Sequence, residues 1–262
     1  MEKISKAQVK LVKSLQQKKF RDELGLFVAE GVKCVEELTK AFELEMLIVE
    51  EGLSVLSQAQ PVCMLSAKRS DIEQMSGLRT PQGVIGVFKK RSQESGVRSQ
   101  DDLILALDGI QDPGNLGTII RTCDWFGVHH ILCSLDTADC YNPKVVQATM
   151  GALARVQIQY VNLPEWLKGI RSQESGIRIY GTLLEGKNMY DVLNRQSSIV
   201  QSSIIIMGNE GNGISPEVRS YITHPLFIPP YTNEKASDVI ESLNVSIATA
   251  IVLAEFRRPA NS

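Results

Sequence analysis

Three short segments of the 262-residue chain concentrate residue types that can hold a small polar ligand and act on it. The first is Asp108-Gly109-Ile110-Gln111-Asp112-Pro113-Gly114-Asn115-Leu116-Gly117-Thr118-Ile119-Ile120-Arg121-Thr122. Pro113-Gly114 reads as a turn and Asn115 as an N-cap for the helix that follows. Arg121 sits two turns into that apolar helix, either laying its stem on the surface or aiming its guanidinium into a pocket. The second segment, Ile204-Ile205-Ile206-Met207-Gly208-Asn209-Glu210-Gly211-Asn212-Gly213-Ile214-Ser215-Pro216, runs an apolar strand into alternating glycines. Such a turn exposes backbone N–H groups suited to an adenine, a ribose or a phosphate. The third joins Ile228-Pro229-Pro230, across a loop, to Glu241-Ser242-Leu243-Asn244-Val245-Ser246-Ile247-Ala248. Ser242 can cap the final helix, and Ser246 and Ala248 suit a small-residue packing face; neither role explains Asn244.

Each segment follows an apolar run of strand type, which is where ligands collect in open parallel sheets. Residues 103–107, 130–133, 157–161, 177–183, 204–207 and 225–228 read as strands. Helical patterns fall at 115–126, closed by Gly127, and at 143–154, 164–170, 216–222 and 242–257. This alternation implies an α/β domain with a mostly parallel sheet covered on both faces. Before it, helices over 4–17 and 31–42 and strands over 46–49 and 83–88 form a smaller α/β unit. The polar, aperiodic stretch between the two is a linker. The expected organisation is therefore 1–89, a linker over 90–101, and 102–262. The words Arg91 to Gly96 and Arg171 to Gly176 are identical, but nothing around them is, so they read as two solvent loops.

Composition narrows the classes. No apolar stretch is long enough for a signal peptide or a membrane span, which points to a cytoplasmic protein. The five cysteines, Cys34, Cys63, Cys123, Cys133 and Cys140, are odd in number and scattered, which fits a reducing compartment. Cys123, His129, His130, Cys133 and Cys140 match no common zinc spacing, so no metal is expected. The net charge of −2 is not that of a protein that coats nucleic acid. Lys3, Lys6, Lys10, Lys13, Lys18, Lys19 and Arg21 nevertheless crowd the start, either tracking phosphates or forming a solvated helix face. The glycine order G-x-x-G-x-G, late in the chain, argues against a nucleotide-dependent oxidoreductase, whose fingerprint is G-x-G-x-x-G on the first βα turn.

Taken together, the three segments resemble the three motifs of the SpoU/TrmH family, the ribose-methylating branch of the SPOUT RNA methyltransferases. Asn115 to Thr122 looks like the first, Met207 to Ser215 the second, and Ile228-Pro229 with Ser242 to Ser246 the third. Phe27-Val28-Ala29-Glu30-Gly31 and Leu78-Arg79-Thr80-Pro81-Gln82-Gly83-Val84 are similar to the family's substrate-binding domain. The resemblance implies a deep trefoil knot that binds S-adenosylmethionine, with Leu183, Gly208, Asn209, Gly211, Ile228 and Leu243 around the cofactor. It implies Arg121, Asn115, Glu210, Ser242 and Asn244 as the catalytic set, with Glu210 orienting the Arg121 guanidinium. It also implies a homodimer through the C-terminal domain, whose last helix has a largely apolar face. The appended N-terminal domain favours ribosomal over transfer RNA as substrate. Residues 231–240 are longer than the family's loop and lack its glycine, which predicts a cofactor pocket that closes loosely in the free protein. The alternative from another class is a catalytically inactive RNA-binding paralogue acting in ribosome assembly.

Overall fold

The computed structural model describes residues 1–53, 62–91, 103–173, 176–194, 202–231 and 242–258. Most of the expected linker and nearly all of the 231–240 loop lie outside them. The chain divides into two compact units, Met1–Glu94 with Asp139–Arg155, and Ser95–Ala138 with Val156–Ser262. The division is not a single cut along the sequence.

The first unit contains β1 (Glu2–Lys3), α1 (Lys6–Ser14), α2 (Lys18–Leu24), β2 (Leu26–Glu30), α3 (Val32–Leu38), β3 (Leu44–Glu50), β4 (Cys63–Ala67), α4 (Arg69–Met75) and β5 (Val84–Lys89). The strands form a mixed sheet ordered β1-β4-β3-β5-β2. Val12 and Leu15, from α1 and its C-cap, pack with Ile72 and Met75 of α4 on Val28, Ile48, Leu65 and Ile85 of the sheet. Phe27, Phe42, Phe88 and Tyr141 make a second cluster, Phe27 lying 4.8 Å from Tyr141 and 5.1 Å from Phe42 between ring centroids.

The helix expected over 4–17 is α1, two residues shorter at its start and three at its end, and a second helix not expected from the sequence, α2, follows it. α1 starts on a capping box, Ser5 and Gln8 each satisfying the other's backbone N–H, and ends at Leu15. The chain turns there because Arg21 Nη1 donates to both Leu15 O and Gln16 O at 2.9 Å, taking carbonyls that a longer helix would use. Arg21 is 1% exposed and also pairs with Asp139 Oδ2 at 2.7 Å, so it is not available to track phosphates. The helix expected over 143–154 likewise stops early: α6 (Pro143–Thr149) gives way to a 3-10 turn at Ala152–Ala154 across Met150 (φ 52°) and Gly151 (φ 90°). A Cβ on Gly151 would stand 2.5 Å from Glu37 Cβ, so only glycine lets this segment lie so closely on α3.

The second unit contains β6 (Leu103–Asp108), α5 (Pro113–Trp125), β7 (His130–Ser134), β8 (Gln157–Val161), α7 (Leu163–Gln173), β9 (Arg178–Asn188), α8 (Met189–Asn194), β10 (Ser203–Gly208), α9 (Pro216–Arg219), β11 (His224–Phe227) and α10 (Val245–Phe256). Its sheet is ordered β11-β9-β10-β6-β7-β8, and every pair is parallel. This is the parallel α/β arrangement read from the sequence, with Gly127 (φ 65°) turning the chain after α5. Central strand β6 is buried along its whole length and β10 along all but its last residue, which is why both are uninterrupted apolar runs. α8, a short helix directly after β9, is not among the helices expected, and Arg171 opens the last turn of α7 rather than a loop. No helix among the described residues is long and apolar enough to cross a membrane. Cys34, Cys123, Cys133 and Cys140 are buried, none of the five cysteines is in a disulfide, and burial pushes the Cys34 thiol up to about 11.

The Arg21–Asp139 pair is the test of how the first unit is held. Arg21→Ala leaves a buried carboxylate unpaired and two carbonyls without donors, and we expect it to cost about 3–5 kcal/mol in chemical denaturation. A loss below about 1 kcal/mol would show that the pair is incidental.

Candidate active site

The site sits at the carboxyl ends of β6 and β10, which are paired in register to their last residues, Gly208 opposite Asp108. Past that rung each strand turns, and polar side chains tie the two turns together. Asp108 is 8% exposed, and its Oδ2 accepts the Ser215 N–H at 2.7 Å. Asn209 Nδ2 donates to Gly109 O at 2.7 Å, while Asn209 Oδ1 accepts Gly211 N–H at 2.8 Å and Asn212 N–H at 3.1 Å. The backbones of Asn209 and Gly213 exchange hydrogen bonds of 2.9 and 3.0 Å, closing the loop on itself. Gly208 permits that closure, because a Cβ there would collide with Gly213 C and Ile214 N. The loop thereby carries Glu210 outward into solvent.

α5 and α10 bring two amides to Glu210. The N-cap of α5 is Asp112, not Asn115: Asp112 Oδ1 accepts Asn115 N–H at 2.8 Å, and Pro113 occupies the first helical position. That leaves the Asn115 side chain free, and its Nδ2 donates to Glu210 Oε1 while its Oδ1 accepts Asn244 Nδ2 at 2.9 Å. Asn244 is in turn the N-cap of α10, a role expected of Ser242; its Oδ1 accepts Ser246 N–H at 3.0 Å and Ser246 Oγ–H at 2.6 Å. With its oxygen committed to the helix end, the Asn244 amide must point its NH2 at Asn115. The result is a directed chain, helix cap to Asn244 to Asn115 to the Glu210 carboxylate.

Three of the five expected catalytic residues are thus joined, and two are not. Arg121 is exposed and, among the described residues, has no hydrogen-bond or ion-pair partner. Six residues from Asn115 on one helix, it projects about 120° away around the axis, and Glu210 holds Asn115 rather than the guanidinium. Ser242 is exposed and caps nothing. Asp108 and Asp112 are not among the residues that the sequence motifs single out. Asp112 carries a signal that could have found it, an Asp directly before a Pro at the helix start; Asp108 carries a weaker one, a charge ending an apolar strand.

The residues expected around a cofactor divide by chemistry. Asn209 has its amide oxygen engaged within the loop and its amide nitrogen on Gly109 O, and the space beside Gly208 is filled by the Gly213 backbone. Leu183 is half-buried against the sheet core, Ile228 is half-buried, and Leu243 is 47% exposed. Three apolar side chains, two half-buried and one exposed, suit the adenine ring of an adenosine-containing cofactor.

A parallel sheet bearing a closed glycine loop and a polar chain at its carboxyl edge is a ligand-binding α/β domain. Residues 102–254 match the SpoU rRNA Methylase family, and the chain belongs to that family. Residues 6–86 match the MRM3-like substrate binding domain. The 23S rRNA (guanosine(2553)-2′-O)-methyltransferase RlmP of Bacillus subtilis is 29% identical over 261 residues, 98% of each chain. Among solved structures, a TrmH-family protein of Porphyromonas gingivalis superposes with a TM-score of 0.87 at 38% identity, covering 97% of this chain and 98% of that one. The AdoMet-bound rRNA methyltransferase of Sinorhizobium meliloti does so with a TM-score of 0.80 at 28% identity, covering 98% and 97%.

The capping assignment separates two residues that the sequence treats alike. Asn244→Ala should lower stability by about 1 kcal/mol through loss of the cap, whereas Ser242→Ala should leave thermal unfolding unchanged. Equal effects would contradict the assignment.

Proposed function

We propose that this protein methylates a ribose 2′-hydroxyl of large-subunit ribosomal RNA. The observation that carries the reading is the Asn244–Asn115–Glu210 chain, held at the strand ends of a SpoU-family domain by helix caps that leave it no other orientation. When bound, S-adenosylmethionine supplies an activated methyl group on a sulfonium centre. The work left to the protein is to hold the ribose hydroxyl in line and to manage its proton. Leu183, Ile228 and Leu243 would flank the cofactor, with backbone groups near Gly208 and Gly211 available to its polar edge. Asn115, Asn244 and Ser242 offer amide and hydroxyl groups to the ribose, and Glu210 fixes the first of these.

An arginine is a poor candidate for a general base, because a guanidinium holds its proton too tightly. The Arg121 guanidinium, exposed and without a partner among the described residues, suits a different role. It clamps an RNA phosphate and stabilises negative charge developing on the ribose oxygen, while that phosphate or a water takes the proton. The S-adenosylmethionine site belongs to a knotted chain path in this reading. The active form is a homodimer through the C-terminal domain; Trp125 at 84% exposure and Ile247 at 52%, on the mutually packed α5 and α10, are exposed apolar residues that it could cover. Ribosomal RNA is favoured over transfer RNA because the matched relatives of full length include a 23S rRNA enzyme and share the N-terminal unit.

The test is methyl incorporation from labelled S-adenosylmethionine into large-subunit rRNA lacking its own modifications. Arg121→Ala should reduce turnover by about 10²–10³-fold, the usual consequence of removing one charge-stabilising donor, with cofactor binding retained. Binding of rRNA without any incorporation by the wild type would instead favour the inactive assembly factor.

A further inference from the structure

Lys6, Lys10 and Lys13 recur at i, i+4 and i+7 on α1, so they share one face and span about 10.5 Å of its axis. The opposite face is fixed inward, with Val12 fully buried and Val9 packed against the core. All three lysines are exposed, and among the described residues none has a carboxylate within ion-pair distance. Some other basic residues of the same unit are paired, Lys18, Lys40, Lys89, Lys90 and Arg155 each holding a carboxylate at 2.5–2.8 Å. Lys19, Lys33 and Lys68 are exposed without such a partner among the described residues, but they lie on separate elements rather than along one helix face. The helix itself, KAQVKLVKS, contains no acid. Like charges at this spacing repel and disfavour the helix; the helix dipole offsets part of this at Lys13, in the last turn, and no acid on the helix offsets the rest. A solvated helix face ordinarily interleaves the two signs; this one is a strip of single sign on a chain whose net charge is −2.

We infer that the Lys6–Lys10–Lys13 stripe grips the sugar–phosphate backbone of the RNA substrate. This rests on the RNA-methyltransferase reading and assigns it a contact surface remote in sequence from the chemistry. Lysines on flexible stems act as point charges toward phosphates, so the stripe anchors and orients the RNA without reading its sequence. Removing it should therefore weaken substrate binding and leave the methyl-transfer step intact.

Counterion release makes the contact measurable. Binding of an unmodified large-subunit rRNA transcript is followed over a salt series for the wild type, for K6Q/K10Q/K13Q, and for K18Q/K40Q/K89Q, which removes the same charge from lysines already paired. Each lost phosphate contact lowers the slope of log affinity against log salt by about 0.7–0.9. The stripe variant should lose roughly 2–3 from that slope and raise KM for RNA with kcat unchanged. The paired-lysine variant should keep the wild-type slope, and K6R/K10R/K13R should restore it, excluding misfolding as the cause. Equal slopes for the two glutamine variants, with the wild type active, would overturn the stripe and leave the enzyme reading standing. A wild type that neither binds nor methylates rRNA would overturn both.

Discussion

Gly208 faces Asp108 on the last rung of the β10–β6 ladder, and the arrangement of the site depends on what that rung allows. With no side chain on Gly208, the Gly213 backbone folds back against it, and the loop between them closes into a compact turn. Asn209 and Asp108 then stitch this turn to its neighbours, one through Gly109 O and the other through Ser215 N–H. Glu210 projects from a loop with little freedom left. A larger residue at 208 would displace the loop before any catalytic side chain was touched.

The same logic governs the amides. Asn115 is available to Glu210 because Asp112 has taken over the capping of α5. Asn244 is available to Asn115 through its nitrogen because its oxygen caps α10. Each functional contact is thus oriented by a structural one, which is how a solvent-facing polar group can be held in one geometry without being buried. Arg121 is the exception, unheld among the described residues and free to meet a partner that arrives with the substrate. In the proposed function the neutral amides and the Glu210 carboxylate position, and the arginine supplies charge.

Much of the catalytic unit is legible in the sequence because its central strands are buried on both faces and its helices are punctuated by proline and glycine. β8 begins and ends at the residues that the apolar run predicts, and Gly127 closes α5 in the expected way. The failures have identifiable causes. The helix expected over 4–17 ends three residues early, where Arg21 takes the Leu15 and Gln16 carbonyls, and α2 follows unannounced because no local pattern discloses the buried Arg21–Asp139 pair. Asn115 and Ser242 read as caps because short polar residues at helix starts are interchangeable on paper; the true caps, Asp112 and Asn244, differ from them by two or three residues. Motif resemblance names Asn115, Glu210 and Asn244 together, but only the folded chain connects them by hydrogen bonds and leaves Arg121 and Ser242 outside that connection.

The central claim is that the acceptor is a ribose oxygen. It is tested most directly by locating the labelled methyl group in the rRNA product after complete alkaline hydrolysis. A ribose 2′-O-methyl removes the internal nucleophile that cleaves the adjoining phosphodiester, so the label should emerge in one alkali-resistant dinucleotide. Label recovered on a mononucleotide would place the methyl on a base and contradict the account.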